Sequence, residues 1–217
     1  MKFFIDSADT KSIAELLDSG MVDGITTNPS LIAKTGRDYF TVIKELAELT
    51  SVPISAEIIA TDYDSMIKEG LKISQLCSNI VVKIPSTWDG LRACNYLANK
   101  AIKTNLTLCF SATQALMVAK AGATYVSPFI GRLDDIAANG LQLIEDIVQV
   151  FDNYSYLETE ILVASVRSVN QVLSVAKMGA DIATIPPKLV KEMMTHPLTD
   201  KGIEIFLNDW KSTGQTI

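Results

Sequence analysis

The stretch Asn79–Gly90, NIVVKIPSTWDG, carries a lysine where a lysine is costly. Lys83 stands within the run Ile80, Val81, Val82 and Ile84, which reads as a buried strand, and lysines are almost never fully buried unless paired. Such a lysine has a chemical use. An amine withdrawn from water holds a larger neutral fraction, and a neutral amine attacks a ketone to give a Schiff base. That chemistry needs two carboxyl groups. One moves protons while the carbinolamine forms and loses water, and the other takes the proton from a substrate hydroxyl when a carbon–carbon bond breaks. Glu57 and Asp6 supply them, each within a β-like run of its own.

Other polar residues recur two apart in such runs, as Thr26 with Asn28, Ser55 with Glu57, and Asn105 with Thr107. Residues two apart in a strand share a face. Ser127 and Ser165 lie on two later runs. In a parallel barrel alternate strand residues point inward, and active sites gather at the C-terminal ends of the strands. A Lys, an Asp, a Glu, two Asn and several hydroxyls turned inward would be costly without a role. A salt-bridge network that satisfies itself, or a wrong inward assignment for some strands, would also account for the set. Arg132 follows YVSPFIG, and ASVRS brings Ser165 to the end of the seventh run and Arg167 just past it. Loops after the later barrel strands often bind phosphate, and arginine grips phosphate with two nitrogens. Ordinary surface arginines are the plainer alternative.

The elements that have to position these residues alternate regularly. β-like runs fall at 2–7, 23–28, 53–59, 80–85, 105–110, 125–129, 160–166 and 181–186, and a helical pattern follows each. In KSIAELLDSG, Ile13, Leu16 and Leu17 form a stripe before Gly20. VAKAGATYV and VAKMGADIA share a helix end, a glycine and a strand start, a solution that repeated βα units reuse. Eight such units predict a single α/β domain over residues 1–217, a (β/α)8 TIM barrel near the lower end of the usual size. An open doubly wound sheet is the alternative, but neither a GxGxxG nor a GxxxxGK[ST] motif follows any strand. An extra C-terminal helix is expected over about 198–212, with Ile203, Phe206, Leu207 and Trp210 on one stripe.

The formal net charge of −6 speaks against nucleic acid as a partner, and no apolar run approaches the roughly 18 residues a membrane span needs. Three cysteines, Cys77, Cys94 and Cys109, form no CxxC pair, and MKFFIDSADT is no signal peptide, so a reducing cytoplasm is expected. His196, the one histidine, precedes a proline and reads as a loop residue. Met193 and Met194 read as apolar filler, and Trp88 either shapes the mouth of the site or packs at a helix start.

In FFIDSAD, GITTNPSLI, VVKIPST and YVSPFIGRLDD, the chain resembles the small transaldolase subfamily, which also holds fructose-6-phosphate aldolase, and the resemblance covers essentially its whole length. The resemblance implies that Lys83 forms the Schiff base, that Asp6 is the acid/base of carbon–carbon cleavage, and that Glu57 works with Thr107 through a catalytic water. It implies that Asn28 and Asn105 bind the dihydroxyacetone hydroxyls, that Thr26 and Ser127 line the same place, and that Arg132, Ser165 and Arg167 hold phosphate. The implied reaction moves dihydroxyacetone from fructose 6-phosphate or sedoheptulose 7-phosphate to an aldose phosphate, in the non-oxidative pentose phosphate pathway. No metal or organic cofactor is implied. The alternatives are a lyase that releases free dihydroxyacetone and a non-catalytic sugar-phosphate-binding barrel. Aldolase members of the family tend to carry Gln where this chain has Glu57 and Tyr where it has Phe129. The resemblance also implies a homo-oligomer, a pentamer or a decamer, with the C-terminal helix on a neighbouring subunit. Larger transaldolases carry insertions that this chain lacks, so contacts from those loops do not transfer.

Overall fold

Alternation along each strand gives the chain two packing surfaces. In the computed structural model, which describes residues 1–217, eight parallel strands close into a barrel in sequence order, with the first paired to the last. The first half runs β1 (Lys2–Asp6), α1 (Thr10–Leu17), β2 (Gly24–Thr26), α2 (Pro29–Thr35), α3 (Tyr39–Leu49), β3 (Ile54–Glu57), α4 (Tyr63–Ser74), β4 (Ile80–Pro85) and α5 (Trp88–Ala98). The second runs β5 (Thr104–Cys109), α6 (Ala112–Lys120), β6 (Tyr125–Pro128), α7 (Ile130–Asp134), α8 (Gly140–Asp152), β7 (Glu160–Val163), α9 (Val169–Met178), β8 (Ile182–Ile185), α10 (Pro187–Met193) and α11 (Pro197–Ser212). The TIM barrel and its extra C-terminal helix are therefore as the sequence predicts, while two of the intervals, β2 to β3 and β6 to β7, hold two helices rather than one. No helix is long and apolar enough to cross a membrane.

One set of alternate side chains, among them Ile5, Ile25, Ile54, Val82, Ile84, Leu106, Val126, Val163 and Ile185, faces outward. It joins helix residues such as Ile13, Leu46, Met66, Leu97 and Ile147 in a continuous buried cluster, which is the main core. The other set fills the barrel. At its N-terminal end Phe4, Val81, Tyr125, Leu162 and Ile182 form a separate apolar plug. Phe4 and Tyr125 meet edge to face with centroids 5.6 Å apart. Gly24 makes room for this plug, because a Cβ there would stand 2.4 Å from the Phe4 ring. Truncating Phe4 to Ala would cost about 3–5 kcal/mol.

Several strands stop short of the predicted bounds. β2 ends at Thr26, β3 at Glu57 and β7 at Val163. Beyond these points the ladder gives way to loops, and Asn28 and Ser168 become the N-caps of α2 and α9. The two echoing segments hold Gly122 and Gly179 at φ +86° and +90°, the left-handed turn from helix to strand. His196 caps α11, its Nδ1 accepting from the Leu198 N–H at 3.1 Å. Met193 packs against the core, but Met194 is 82% exposed at the end of α10, so only the first of the pair is filler. Trp88 opens α5 and is exposed. α11 has no buried residue, and its stripe of Ile203, Phe206, Leu207 and Trp210 lies open.

Candidate active site

The parallel register brings the polar residues onto neighbouring rungs. Asp6 is the ladder partner of Thr26, and Thr26 of Ser55. Lys83 lies between Glu57 on one side and Asn105 on the other. Asp6, Lys83, Ser127 and Thr184 sit two residues beyond Phe4, Val81, Tyr125 and Ile182 of the apolar plug, so a polar storey rests on an apolar floor toward the C-terminal ends of the strands. Thr26, Ser55, Lys83, Asn105, Thr107, Ser127 and Thr184 are all buried.

Lys83 is held from two sides. Its Nζ lies 2.9 Å from Glu57 Oε2 and donates to the Thr27 carbonyl at 2.9 Å. An ammonium has three donors, so two are bound and the third is left toward the cavity that Lys83 lines. Tyr39 donates to the Glu57 carbonyl at 3.1 Å, fixing the end of β3. Asp6 accepts one hydrogen bond, from Thr26 Oγ1 at 2.8 Å. Burial pushes its carboxyl above the usual carboxylate range, and the charge of Lys83, the Thr26 bond and the charge of Lys34 only partly offset this. Asn105 donates to Ser55 Oγ at 3.0 Å and accepts from Ser127 Oγ at 2.7 Å, which fixes the orientation of its amide. Asn28 accepts from the Leu31 N–H at 2.9 Å as the α2 cap, leaving its amide NH2 as a donor. Thr107 is fully buried, yet its Oγ1 meets no donor or acceptor in the protein. Such atoms are rare in native proteins.

A cavity of 130 Å³ opens into this storey. Asp6, Thr26, Asn28, Lys83 and Ser127 form its inner wall, and Phe129, Arg132 and Ser165 its outer part. Glu57, Asn105 and Thr107 stand outside the lining, Glu57 and Asn105 bonded to residues nearer the centre and Thr107 adjoining β4 through Pro85. Arg132 stacks its guanidinium 4.9 Å from the Phe129 ring centre, and Phe129 meets Phe110 at 5.9 Å, so the rim is aromatic on one side and cationic on the other. Arg167 is not part of the cavity wall. It is exposed and pairs through both terminal nitrogens with Asp135, whose carboxyl that bond and the nearby arginine charges hold below its usual range. Gly131 lets α7 approach this corner, because a Cβ there would lie 2.4 Å from the Ser165 carbonyl.

Two strained residues border the site. Leu108 at φ +58° follows Thr107 where the β5–β6 register shifts, and Ser165 at φ +60° lies on the cavity wall. Positive φ in such residues costs on the order of 1–3 kcal/mol and clusters where function holds it. Burial pushes the Cys94 and Cys109 thiols up to about 11, so neither is an activated nucleophile.

The sequence pattern missed three contributors. Thr184 lies on the cavity wall, two residues after Ile182, and the period-two rule that singled out Thr26 and Thr107 would have found it. Thr27 acts through its carbonyl, which no side-chain pattern reveals. Lys34 acts on Asp6 through space from α2.

Comparison with known proteins follows the same line. Residues 3–217 match the family described as Transaldolase/Fructose-6-phosphate aldolase. The chain is 58% identical over 217 residues, covering all of both chains, to a protein of Dinoroseobacter shibae named "Probable transaldolase". It is equally similar, 58% over 217 residues and all of both chains, to a protein of the same name from Rhizobium meliloti. Among solved structures it resembles a thiamine phosphate pyrophosphorylase from Pyrococcus furiosus, with a TM-score of 0.58 over 88% of this chain and 93% of that one. At 16% identity that likeness is one of fold.

Proposed function

The chain belongs to the transaldolase/fructose-6-phosphate aldolase family of enzymes, and on that premise we propose that it moves a dihydroxyacetone unit from a ketose phosphate to an aldose phosphate through a Schiff base on Lys83. The observation that carries this reading is the lysine itself, buried at the barrel mouth, 2.9 Å from Glu57 and on the wall of the cavity that Asp6 also lines. Glu57 takes the ammonium proton, and the neutral amine adds to the C2 carbonyl of fructose 6-phosphate or sedoheptulose 7-phosphate. Glu57 and Thr107 then serve one water, which shuttles protons as the carbinolamine loses hydroxide to become the iminium. The unpartnered Thr107 hydroxyl supports that assignment. Asp6 removes the C4-hydroxyl proton, the O–H pair becomes the new aldehyde, and the C3–C4 pair moves into the iminium to form an enamine. A carboxyl made more basic by burial suits that task. Asn28 and Asn105 with Ser127 hold the dihydroxyacetone hydroxyls.

Arg132 and Ser165 bind the phosphate at the rim; Arg167 joins them only by leaving Asp135. Phe129 offers the enamine a phenyl wall and no hydroxyl, which favours waiting for an aldehyde over protonation by water, and so favours transfer over release of free dihydroxyacetone. Borohydride reduction in the presence of fructose 6-phosphate tests the proposal. Mass spectrometry should find a reduced dihydroxyacetone adduct on Lys83. An adduct on another lysine, or none while turnover persists, would overturn it.

A further inference from the structure

Thr184 belongs to no part of the chemistry described so far, yet it lies on the wall of the same cavity, 3% exposed. Its Oγ1 is 2.5 Å from Thr26 Oγ1, and Thr26 Oγ1 is 2.8 Å from Asp6 Oδ1. A hydroxyl carries one proton. A carboxylate can only accept, so the Thr26 proton points at Asp6, and the proton between the two threonines belongs to Thr184. The direction of both bonds follows from the charge at one end.

We propose that Thr184 is a positioning residue for carbon–carbon cleavage: by donating to Thr26 it commits the Thr26 proton to Oδ1 of Asp6 and leaves Oδ2 as the oxygen that receives the substrate proton. The inference rests on the reading of Asp6 as the cleavage base. In the step it serves, the substrate O–H bond breaks, its proton bonds to Oδ2, and the two threonine protons stay in place. Thr26 is the one residue hydrogen-bonded to the Asp6 carboxylate, so its direction matters. Without Thr184 the Thr26 proton is free to rotate away, and the remaining bond loses the polarisation that a chain of hydrogen bonds gives each member. Thr184→Val keeps the shape and removes the donor.

The experiment is the pH profile of kcat/KM for fructose 6-phosphate cleavage with an acceptor aldose phosphate present. The acid limb reports the free enzyme's base. In Thr184→Val the limb should move to higher pH by about half a unit, because the bond that favours the ionised carboxylate is weakened. Thr184→Ser, which keeps the hydroxyl, should restore the parent limb. In a Thr26→Val background, adding Thr184→Val should move the limb no further. A limb unmoved in Thr184→Val, or moved equally in both backgrounds, overturns the relay. Should Thr184→Val fail to fold, Thr184→Ala, which only deletes atoms, replaces it. Asp6→Asn distinguishes the two failures. If Asp6→Asn still cleaves, the base assignment falls and the relay with it; if Asp6→Asn is inactive while the Thr184→Val limb stays put, the relay alone falls.

Discussion

Replacing Lys83 by Met should destabilise the protein far more than replacing Lys83 and Glu57 together. The two charges are 2.9 Å apart with side chains 5% and 13% exposed. At an effective dielectric constant of about 20 they attract by about 6 kcal/mol. Each has also given up hydration, so against a pair of uncharged groups the net worth is near zero. Removing one partner is different. Lys83→Met leaves a carboxylate unpaired, a loss of about 3 kcal/mol, at the low end because Glu57 keeps some solvent. The Thr27 carbonyl loses its donor for about 1 more. In a chain of 217 residues, a loss of about 4 kcal/mol lowers Tm by about 8–16 °C. Glu57→Gln alone strands the ammonium and should lose about 3 kcal/mol, whereas Lys83→Met with Glu57→Gln should fall within about 1 kcal/mol of the parent. The assay is thermal unfolding by circular dichroism at pH 7 and matched concentration for all four proteins. The reasoning requires a coupling of at least about 3 kcal/mol; additivity within about 0.5 kcal/mol would refute it, showing that the pair neither shares a field nor shields each other.

Asp6→Asn should lower the cleavage rate by about 10²- to 10⁴-fold while raising Tm at pH 7. The sign follows from the raised Asp6 pKa: stability linked to this carboxyl is full below the ordinary aspartate range and is lost as pH rises through the folded value, so the advantage of Asn should vanish on acidification, and a Tm difference independent of pH would contradict it. Phe129→Tyr puts a hydroxyl on the cavity wall and should raise dihydroxyacetone released per fructose 6-phosphate consumed; a change of about 1.4 kcal/mol between the two barriers is tenfold in that ratio, and an unchanged ratio would remove Phe129 from the partition. The open stripe on α11 is expected to lie against a neighbouring copy, so light scattering should give a multiple of the chain mass, with Phe206→Glu and Trp210→Glu together reducing it; a monomeric parent at micromolar concentration would reject this.

The barrel was legible because two signals agreed. Short apolar runs such as Ile80–Pro85 and amphipathic stripes such as Ile13–Leu17 are set by local geometry, and their order dictates a parallel sheet. Strand ends were less legible. Asn28 and Val166 continue a strand in composition, yet where pairing stops depends on the neighbouring strand, which the local sequence does not contain. The inward residues followed from spacing once a barrel was assumed. Arg167 did not, because its bond to Asp135 joins residues 32 apart in the chain that only the packing of α7 beside β7 brings together. Thr184 was readable by the same rule as its neighbours but lacked a charge to draw attention. Contributions from backbone carbonyls, such as that of Thr27, leave no mark in side-chain patterns at all.

The sequence left two accounts of the inward polar set open, a self-satisfied network and a reactive site, and the pattern of bonds bears on the choice. A network serving stability alone would close on itself. Much of this one does: Asn105 bridges Ser55 and Ser127, and Lys83 bridges Glu57 and Thr27. Most of the exceptions gather in one corner, although Ser86 Oγ, just past β4 and off the cavity, is also buried without a partner. Thr107 is buried without a partner, the Asp6 carboxylate has a single hydrogen bond despite its burial, Lys83 has a donor left over, and Asn28 keeps a free amide donor. A buried hydroxyl such as that of Thr107 costs on the order of 1–3 kcal/mol when left unpaired. Random imperfection would scatter them over the barrel. Here Asp6, Lys83 and Asn28 border the same 130 Å³ cavity, and Thr107 lies next to it on the strand adjoining Lys83. The outer core between strands and helices is apolar and continuous, so the fold can carry this local deficit. Groups with bonding capacity to spare, of both signs and around one opening, support the proposed reading of a ligand with hydroxyls and a carbonyl of its own.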